Sequence, residues 1–421
     1  MSHAGHPISV RRGLLTPGAA VLAGLALIGL GAAAYRFLFG IGAASNLSNQ
    51  YPWGIWIGID VASGVALAAG GFTSAAVAHI FHQHKYEVLV RPALLTAMLG
   101  YTFAVLGLFA DLGRFYNIWH PMIPMMWQGN SVLFEVAMCV MVYLNILYIE
   151  FLPIVCERFA GRVSLPGPLR ALNPMVERAL RIAQATLGKM MFLFIVGGVV
   201  LSCMHQSSLG SLLLIAPYKV NPLWYTPVMP MLFLLSAFSA GFAMVIFESL
   251  LSAWTFRLAP ETKVLASYSR FLVVFLGVYL VAKGTDFVIR DAYHSLLAGG
   301  IAPVMFLVEI CAGIVLPLLL LVSPRVRGTA LGLFAASGLV VGGVLLNRVN
   351  VFLVAFRPPY AQTPYFPSLV ESLITLGLIS ALVLTYRVFV TIFPILPAGE
   401  CVPARELAAE DIPAETEPYA A

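Results

Sequence analysis

The chain has 421 residues, of which 60% are hydrophobic and only 10% are charged. Soluble domains carry about 25% charged residues, so a soluble globular fold is excluded. The net charge of +5 at pH 7 follows from how Lys and Arg divide between loops, not from a nucleic-acid-binding surface.

Ten apolar runs are each long enough to cross about 30 Å of hydrocarbon as a helix. They cover residues 14–38, 53–80, 92–110, 131–153, 186–206, 224–250, 268–287, 302–322, 328–346 and 369–393. The reading is an all-α integral membrane protein. The first run follows Arg11 and Arg12. It is about twice the length of a signal-peptide core and reads as a retained anchor.

The second run, YPWGIWIGIDVASGVALAAGGF, carries Asp60 among apolar and small residues. A carboxylate at membrane depth is costly enough to be paired, neutralised or functional. Gly54 and Gly58 form GxxxG and predict close helix packing. HIFHQH (79–84) at the end of this run reads as a solvated loop rather than a metal site.

Between the fourth and fifth runs lies a long segment, 154–185. Its Asn173-Pro174 start and Glu177/Arg181 spacing predict a surface helix. The loops on the opposite side are long and rich in aromatic residues, Pro and Asn: 44–53, 112–130, 205–224 and 346–367. Part of that composition is the interfacial aromatic belt, but a cap on one side also suits a docked partner. The last residues, 394–421, are acidic and are expected to form a disordered cytoplasmic tail.

A weak internal repeat is visible. Trp53 precedes the AAG ending at Gly70 by the same interval as Trp224 precedes the SAG ending at Gly241. A shift of 171 residues also superposes the third run on the seventh and the fourth on the eighth. Two parallel four-helix bundles follow, 51–206 and 207–346, with two additional helices in 14–50 and 347–393 and a cytoplasmic N-terminus at 1–13. An even number of spans puts both termini on one side. If that side is cytoplasmic, 17 of the 24 Lys and Arg face inward and seven outward, which follows the positive-inside rule.

Polar groups then gather in the outer half: Asp60, Glu135, His205, Gln206, Lys283, Asp286, Glu309 and Glu371. Asp60 lies about 10 Å inside the boundary at helical rise. Glu150, Glu248 and Arg270 lie in the inner half, with roles the residues do not define. None of the five cysteines forms CxxC or CxxCH, so neither an iron–sulfur cluster nor covalent haem is expected. No paired histidines suit haem b, and no metal site is expected.

The motif PWGIWIGIDVASGVALAAGG (52–71) resembles the first core helix of the NrfD/PsrC family, integral-membrane subunits of respiratory oxidoreductases. FYNIWHPMIPMMWQGNSVLFE (115–135), MHQSSLGSL (204–212) and LNRVNVFLVAFRPPY (346–360) are similar to its HybB-type branch, which includes NiFe-hydrogenase and DsrP-like subunits. The resemblance covers about residues 50–390. It implies two four-helix bundles and an outer-half quinone pocket (menaquinone or ubiquinone). It also implies a periplasmic ferredoxin-like iron–sulfur subunit docked above, a catalytic subunit beyond it, and a place in the bacterial inner membrane. Asn49, Trp53, Asp60, His205 and Gln206 occupy the helix ends that form this pocket in the family. Asp60 stands where much of the wider family has an aromatic, so its role is not implied.

The expectation is therefore a quinone-binding subunit. His205 or Gln206 would hydrogen-bond the quinone, with Asp60, Glu135 and His205 handling protons. The alternatives are a secondary transporter, which the repeat and intramembrane charges permit, and a passive anchor.

Overall fold

The computed structural model describes residues 7–10, 13–14, 16–164, 166–361 and 363–397. Its architecture is all-α. Ten helices among the described residues are long and apolar enough to span a membrane. We number them α1 (Pro17–Phe39), α2 (Trp56–Ile80), α3 (His84–Asp111), α4 (Val132–Phe159), α5 (Arg170–Ser211), α6 (Met229–Phe256), α7 (Thr262–Ile289), α8 (Ile301–Val322), α9 (Ala330–Val354) and α10 (Leu369–Ile392). The only strands among the described residues are β1 (Pro7–Ile8) and β2 (Leu396–Pro397), paired antiparallel.

Helices α2–α5 pack in one ring and α6–α9 in a second, while α1 and α10 pair with each other and lie against α3. The bundles meet mainly along α2, α5 and α6. Small residues set this geometry, because lipid tails give apolar helices no reason to associate except close packing. A Cβ on Gly241 would stand 2.8 Å from the Ala69 carbonyl carbon and 3.0 Å from the Gly70 nitrogen. A Cβ on Gly70 would stand 3.3 Å from the Gly241 carbonyl oxygen. These glycines correspond under the 171-residue shift, so the two repeats touch at equivalent positions. Gly29 of α1 and Gly377 of α10 make a similar backbone approach, each Cβ falling 2.5 Å from the other Cα.

Three boundaries differ from the sequence reading. The surface helix expected from Asn173 is continuous with the fifth span, forming one α-helix from Asn173 to Ser211. No proline follows Pro174 to break it, and Gly188, at the junction of the two expected pieces, costs a helix only about 1 kcal/mol. Helix α9 runs on to Val354 through a π-helical stretch, Asn350–Val354, so its last turns lie where an outer loop was expected. Finally, β2 places Leu396 and Pro397 against the N-terminal segment, so 394–397 are ordered. The acidic tail beyond them, 398–421, lies outside the described residues, as do Arg11 and Arg12.

The termini define one face. The opposite, distal face carries the aromatic cap. There the backbone of 219–221 bonds to that of 355–357, with Asn221 N donating to Ala355 O at 2.8 Å and Arg357 N to Lys219 O at 2.6 Å. The α3–α4 connection folds into three short 3-10 turns: Phe115–Asn117, His120–Met122 and Pro124–Met126.

Candidate functional site

His205 and Gln206 are consecutive on α5 and fully buried inside the first bundle. Because α5 continues to Ser211, they lie about 9 Å inside its distal end rather than closing it. His205 Nδ1 is 3.3 Å from the Tyr101 hydroxyl of α3, which is also 3.3 Å from Ser202 Oγ. Gln206 Nε2 donates to the Val65 carbonyl of α2 at 2.9 Å. The other polar atom of each side chain, His205 Nε2 and Gln206 Oε1, is buried without a hydrogen-bond partner. A buried polar atom left unpaired costs about 1–3 kcal/mol. Two such atoms on consecutive residues are therefore a reason to look for a ligand there.

Glu135 opens α4 and accepts a hydrogen bond from Ser208 Oγ at 2.5 Å. Ser208 is three residues on from His205, so these groups share one side of α5. Trp53 stands just before α2, with its ring 5.4 Å from Phe356 and 6.0 Å from Phe352, centroid to centroid. Asn49 is exposed on the loop before it.

Asp60 belongs to a different set. It lies in a π-helical stretch of α2, Trp56–Ser63, a geometry often found at functional sites. Its Oδ2 accepts from Thr375 Oγ1 of α10 at 2.6 Å. The α3 residue facing it is Gly107, where a Cβ would sit 2.5 Å from the Asp60 Cβ. Further out, Arg36 of α1 is fully buried. It donates Nε to the Ala110 carbonyl at 2.6 Å and Nη2 to the Leu112 carbonyl, closing the open C-terminal end of α3. Glu371 caps α10 and accepts from the Tyr365 hydroxyl at 2.5 Å and from Asn46 N at 3.0 Å. Asp60, Glu135 and His205 thus have separate partners and make no mutual hydrogen bonds.

Lys283 and Glu309, expected only as outer-half polar groups, are joined in the second bundle to residues the sequence placed in a loop. Glu309 of α8 is buried and ion-paired to Lys283 of α7. It also accepts from Trp224 Nε1 at 2.8 Å, Asn347 Nδ2 at 2.8 Å and Asn350 Nδ2 at 2.9 Å. Arg348 donates to Asn347 Oδ1 at 2.6 Å and to Ser236 Oγ at 2.8 Å. Its guanidinium lies 3.7 Å from the centroid of the Phe233 ring, a desolvated cation–π contact. Asn347, Arg348 and Asn350 belonged to an expected loop. The available signal was Glu309 itself, a carboxylate inside an apolar run that needs partners.

Of the inner-half groups, Glu150 lies beside Tyr143, whose ring meets that of Tyr101 with centroids 4.7 Å apart, on the same side of the first bundle as His205. Glu248 is buried with Oε1 unpaired, whereas Arg270 is exposed.

A family model described as polysulphide reductase, NrfD, matches residues 43–356. The probable Ni/Fe-hydrogenase 2 b-type cytochrome subunit of Escherichia coli K12 is 35% identical over 365 residues, covering 86% of this chain and 88% of that protein. This chain belongs to the NrfD family. A protein of Nitratidesulfovibrio vulgaris Hildenborough is 36% identical over 406 residues, covering 94% and 97%. The menaquinone reductase integral membrane subunit of the same organism is 27% identical over 390 residues, covering 86% and 88%. This NrfD-family chain is accordingly a multi-pass membrane protein of the kind that serves as a membrane subunit in multi-subunit, quinone-linked oxidoreductases.

Proposed function

We propose that this NrfD-family chain is the quinone-reactive subunit of its complex and passes electrons between a periplasmic iron–sulfur subunit and the membrane quinone pool. The observation that carries this reading is the pair of unpartnered atoms, His205 Nε2 and Gln206 Oε1. An imidazole N–H suits a quinone carbonyl, and an amide oxygen suits the hydroxyl of the reduced form. The two atoms together serve both redox states. Quinone reduction takes up two electrons and two protons, so the electron-only partner must be complemented by proton-carrying groups in this chain.

Glu135 and Ser208 extend from His205 toward the distal end of α5 and form the shorter proton route. Asp60, on the π-helical stretch of α2 in the same bundle and held by Thr375 of α10, is the second carrier. Trp53 and Asn49 would line the approach from the distal side. The Lys and Arg distribution supports a periplasmic distal face with both termini cytoplasmic, in the bacterial inner membrane. The partner's seat would be the ordered cap on that face, where Met125 is 93% and Tyr218 is 89% exposed. The catalytic subunit lies beyond it, and nucleic acid has no part.

The Escherichia coli relative carries "b-type cytochrome" in its name. A bis-histidine haem needs two histidines facing each other across helices. Among the described residues, His79, His82 and His84 cluster at the terminal-face end of α2, His120 and His294 lie in the connections on the distal side, and His205 lies inside the first bundle against Tyr101. This spread supports a route without haem, and the proposed one uses none.

The test is isolation of the intact complex from native membranes. The expected result is co-purification with an iron–sulfur subunit and about one tightly bound quinone per copy or more. A chain that is functional alone, with neither, would support the transporter reading instead.

A further inference from the structure

The seam between α2, α3 and α10, closed by α1, holds more acid than base. Asp60 sits in it at the level of Gly107 and Thr375. Asp111 follows Gly107 by four residues on α3, and Glu371 precedes Thr375 by four on α10. Residues four apart share one face of a helix, so these two carboxyls stand one turn, about 6 Å, distal to Asp60. Arg36 of α1 is the cation of the set. Arg36 and Glu371 both act electrostatically on Asp111, and Asp111 reaches Tyr365 in the same way. Three carboxyls therefore meet one guanidinium. Arg36 gives its hydrogen bonds to the Ala110 and Leu112 carbonyls, either side of Asp111, and not to a carboxylate. The seam can take up a proton without breaking an ion pair.

The three carboxyls are not equally committed. Glu371 accepts from the Tyr365 hydroxyl, Asn46 N and Ser368 N. Asp111 Oδ1 is buried with no partner. A second orphan lies in the same seam. Trp56 is fully buried in one cluster with Ala110 and Ile374, the sequence neighbours of Asp111 and Thr375, and its Nε1 has no partner. A bridging water needs two to four polar groups. The Trp56 N–H, Asp111 Oδ1 and the Asp60 carboxyl supply them. Asp111 is half-buried, and the exposed distal connection begins two residues on, at Gly113.

We propose that Asp111 exchanges protons with Asp60 through a water held by Trp56 Nε1 and so connects Asp60 with the distal face, while Arg36 positions the Asp111 carboxyl. In each transfer the Asp111 acid gives its proton to the water as the water gives one to the Asp60 carboxylate, and no other reactant is needed. This rests on the proposed role of Asp60 as a proton carrier in quinone chemistry.

The test is quinone reduction by the intact complex carrying Asp111→Asn, alone and combined with Asp60→Asn, beside Asp60→Asn itself. Asp111→Asn should lose at least threefold in turnover, with the partner's reaction toward a soluble electron dye and the subunit composition unchanged. The loss should widen as pH rises, because protons become scarce for whatever slower route remains. The double variant should be no slower than Asp60→Asn, since both residues serve one route. If Asp111→Asn fails to assemble, Trp56→Phe decides: it removes the N–H, keeps an aromatic ring and should lose about two- to fivefold, and an unchanged rate there would overturn the inference. Asp111→Asn as fast as the wild type beside a slow Asp60→Asn would overturn it and leave the role of Asp60 standing. Losses that multiply in the double variant, or a loss independent of pH, would make Asp111 a packing residue and would also overturn it. Asp60→Asn as fast as the wild type would remove Asp60 from proton transfer, and this inference with it.

Discussion

Asp60 and Thr375 are joined by a 2.6 Å hydrogen bond that links the first core bundle to the outlying α10. The added helices are therefore not spectators. They supply the only hydrogen-bond partner of this intramembrane carboxyl among the described residues, and α1 supplies Arg36, which closes α3 beside it.

If Asp60 carries protons for quinone chemistry, Asp60→Asn should cut quinone-linked turnover of the intact complex at least tenfold. The amide oxygen can still accept from Thr375, so assembly should be unchanged by size-exclusion chromatography. Thr375→Val should have a smaller effect, about two- to fivefold. Unchanged turnover in an assembled Asp60→Asn complex would favour the passive anchor.

The repeat interface is sensitive to single atoms. Gly241→Ala places a methyl within 3.0 Å of Ala69 and Gly70, and such overpacking costs about 1–3 kcal/mol. Thermal unfolding in detergent should show a lower Tm. Gly277→Ala, with nothing within 4 Å of the added Cβ, should leave Tm equal or slightly raised.

The second-bundle ion pair should behave as a buried pair. Lys283→Met leaves Glu309 without its nearest counter-charge, a change that costs about 3–5 kcal/mol. Lys283→Met combined with Glu309→Gln should recover most of the lost Tm. A double variant no better than the single one would mean that Lys283 acts through packing alone.

Orientation can be read directly. With the termini cytoplasmic, a membrane-impermeant maleimide should label Tyr218→Cys in intact cells that lack the partner subunits and spare Lys85→Cys until the membrane is opened. The reverse pattern would invert the topology and move the partner's seat to the other side of the membrane.

Much of this was legible in the sequence because polar residues stand out in apolar runs. Asp60, Glu135, His205 and Gln206 were visible for that reason, and the shared Trp53/Gly70 and Trp224/Gly241 spacing marked two residues that do meet. What stayed hidden depends on long-range contacts. Arg36 looks like a boundary cation, and only packing shows it closing α3, more than seventy residues away. Asn347, Arg348 and Asn350 look like loop because hydropathy falls there. Their helical continuation is stabilised by Glu309, 38 and 41 residues earlier for the two asparagines. Pairwise grouping of Asp60, Glu135 and His205 was also beyond the sequence, since side-chain direction within a π-helical turn does not follow the regular 3.6-residue period.

Quinone bound at His205 and Gln206 is what the proposed electron route depends on. The most direct measurement is quinone turnover by the intact complex carrying His205→Leu, with the partner's reaction toward an artificial soluble electron dye measured alongside. His205→Leu should lose at least tenfold in quinone turnover with dye activity and subunit composition unchanged. Quinone turnover equal to the wild type in an assembled His205→Leu complex would contradict it.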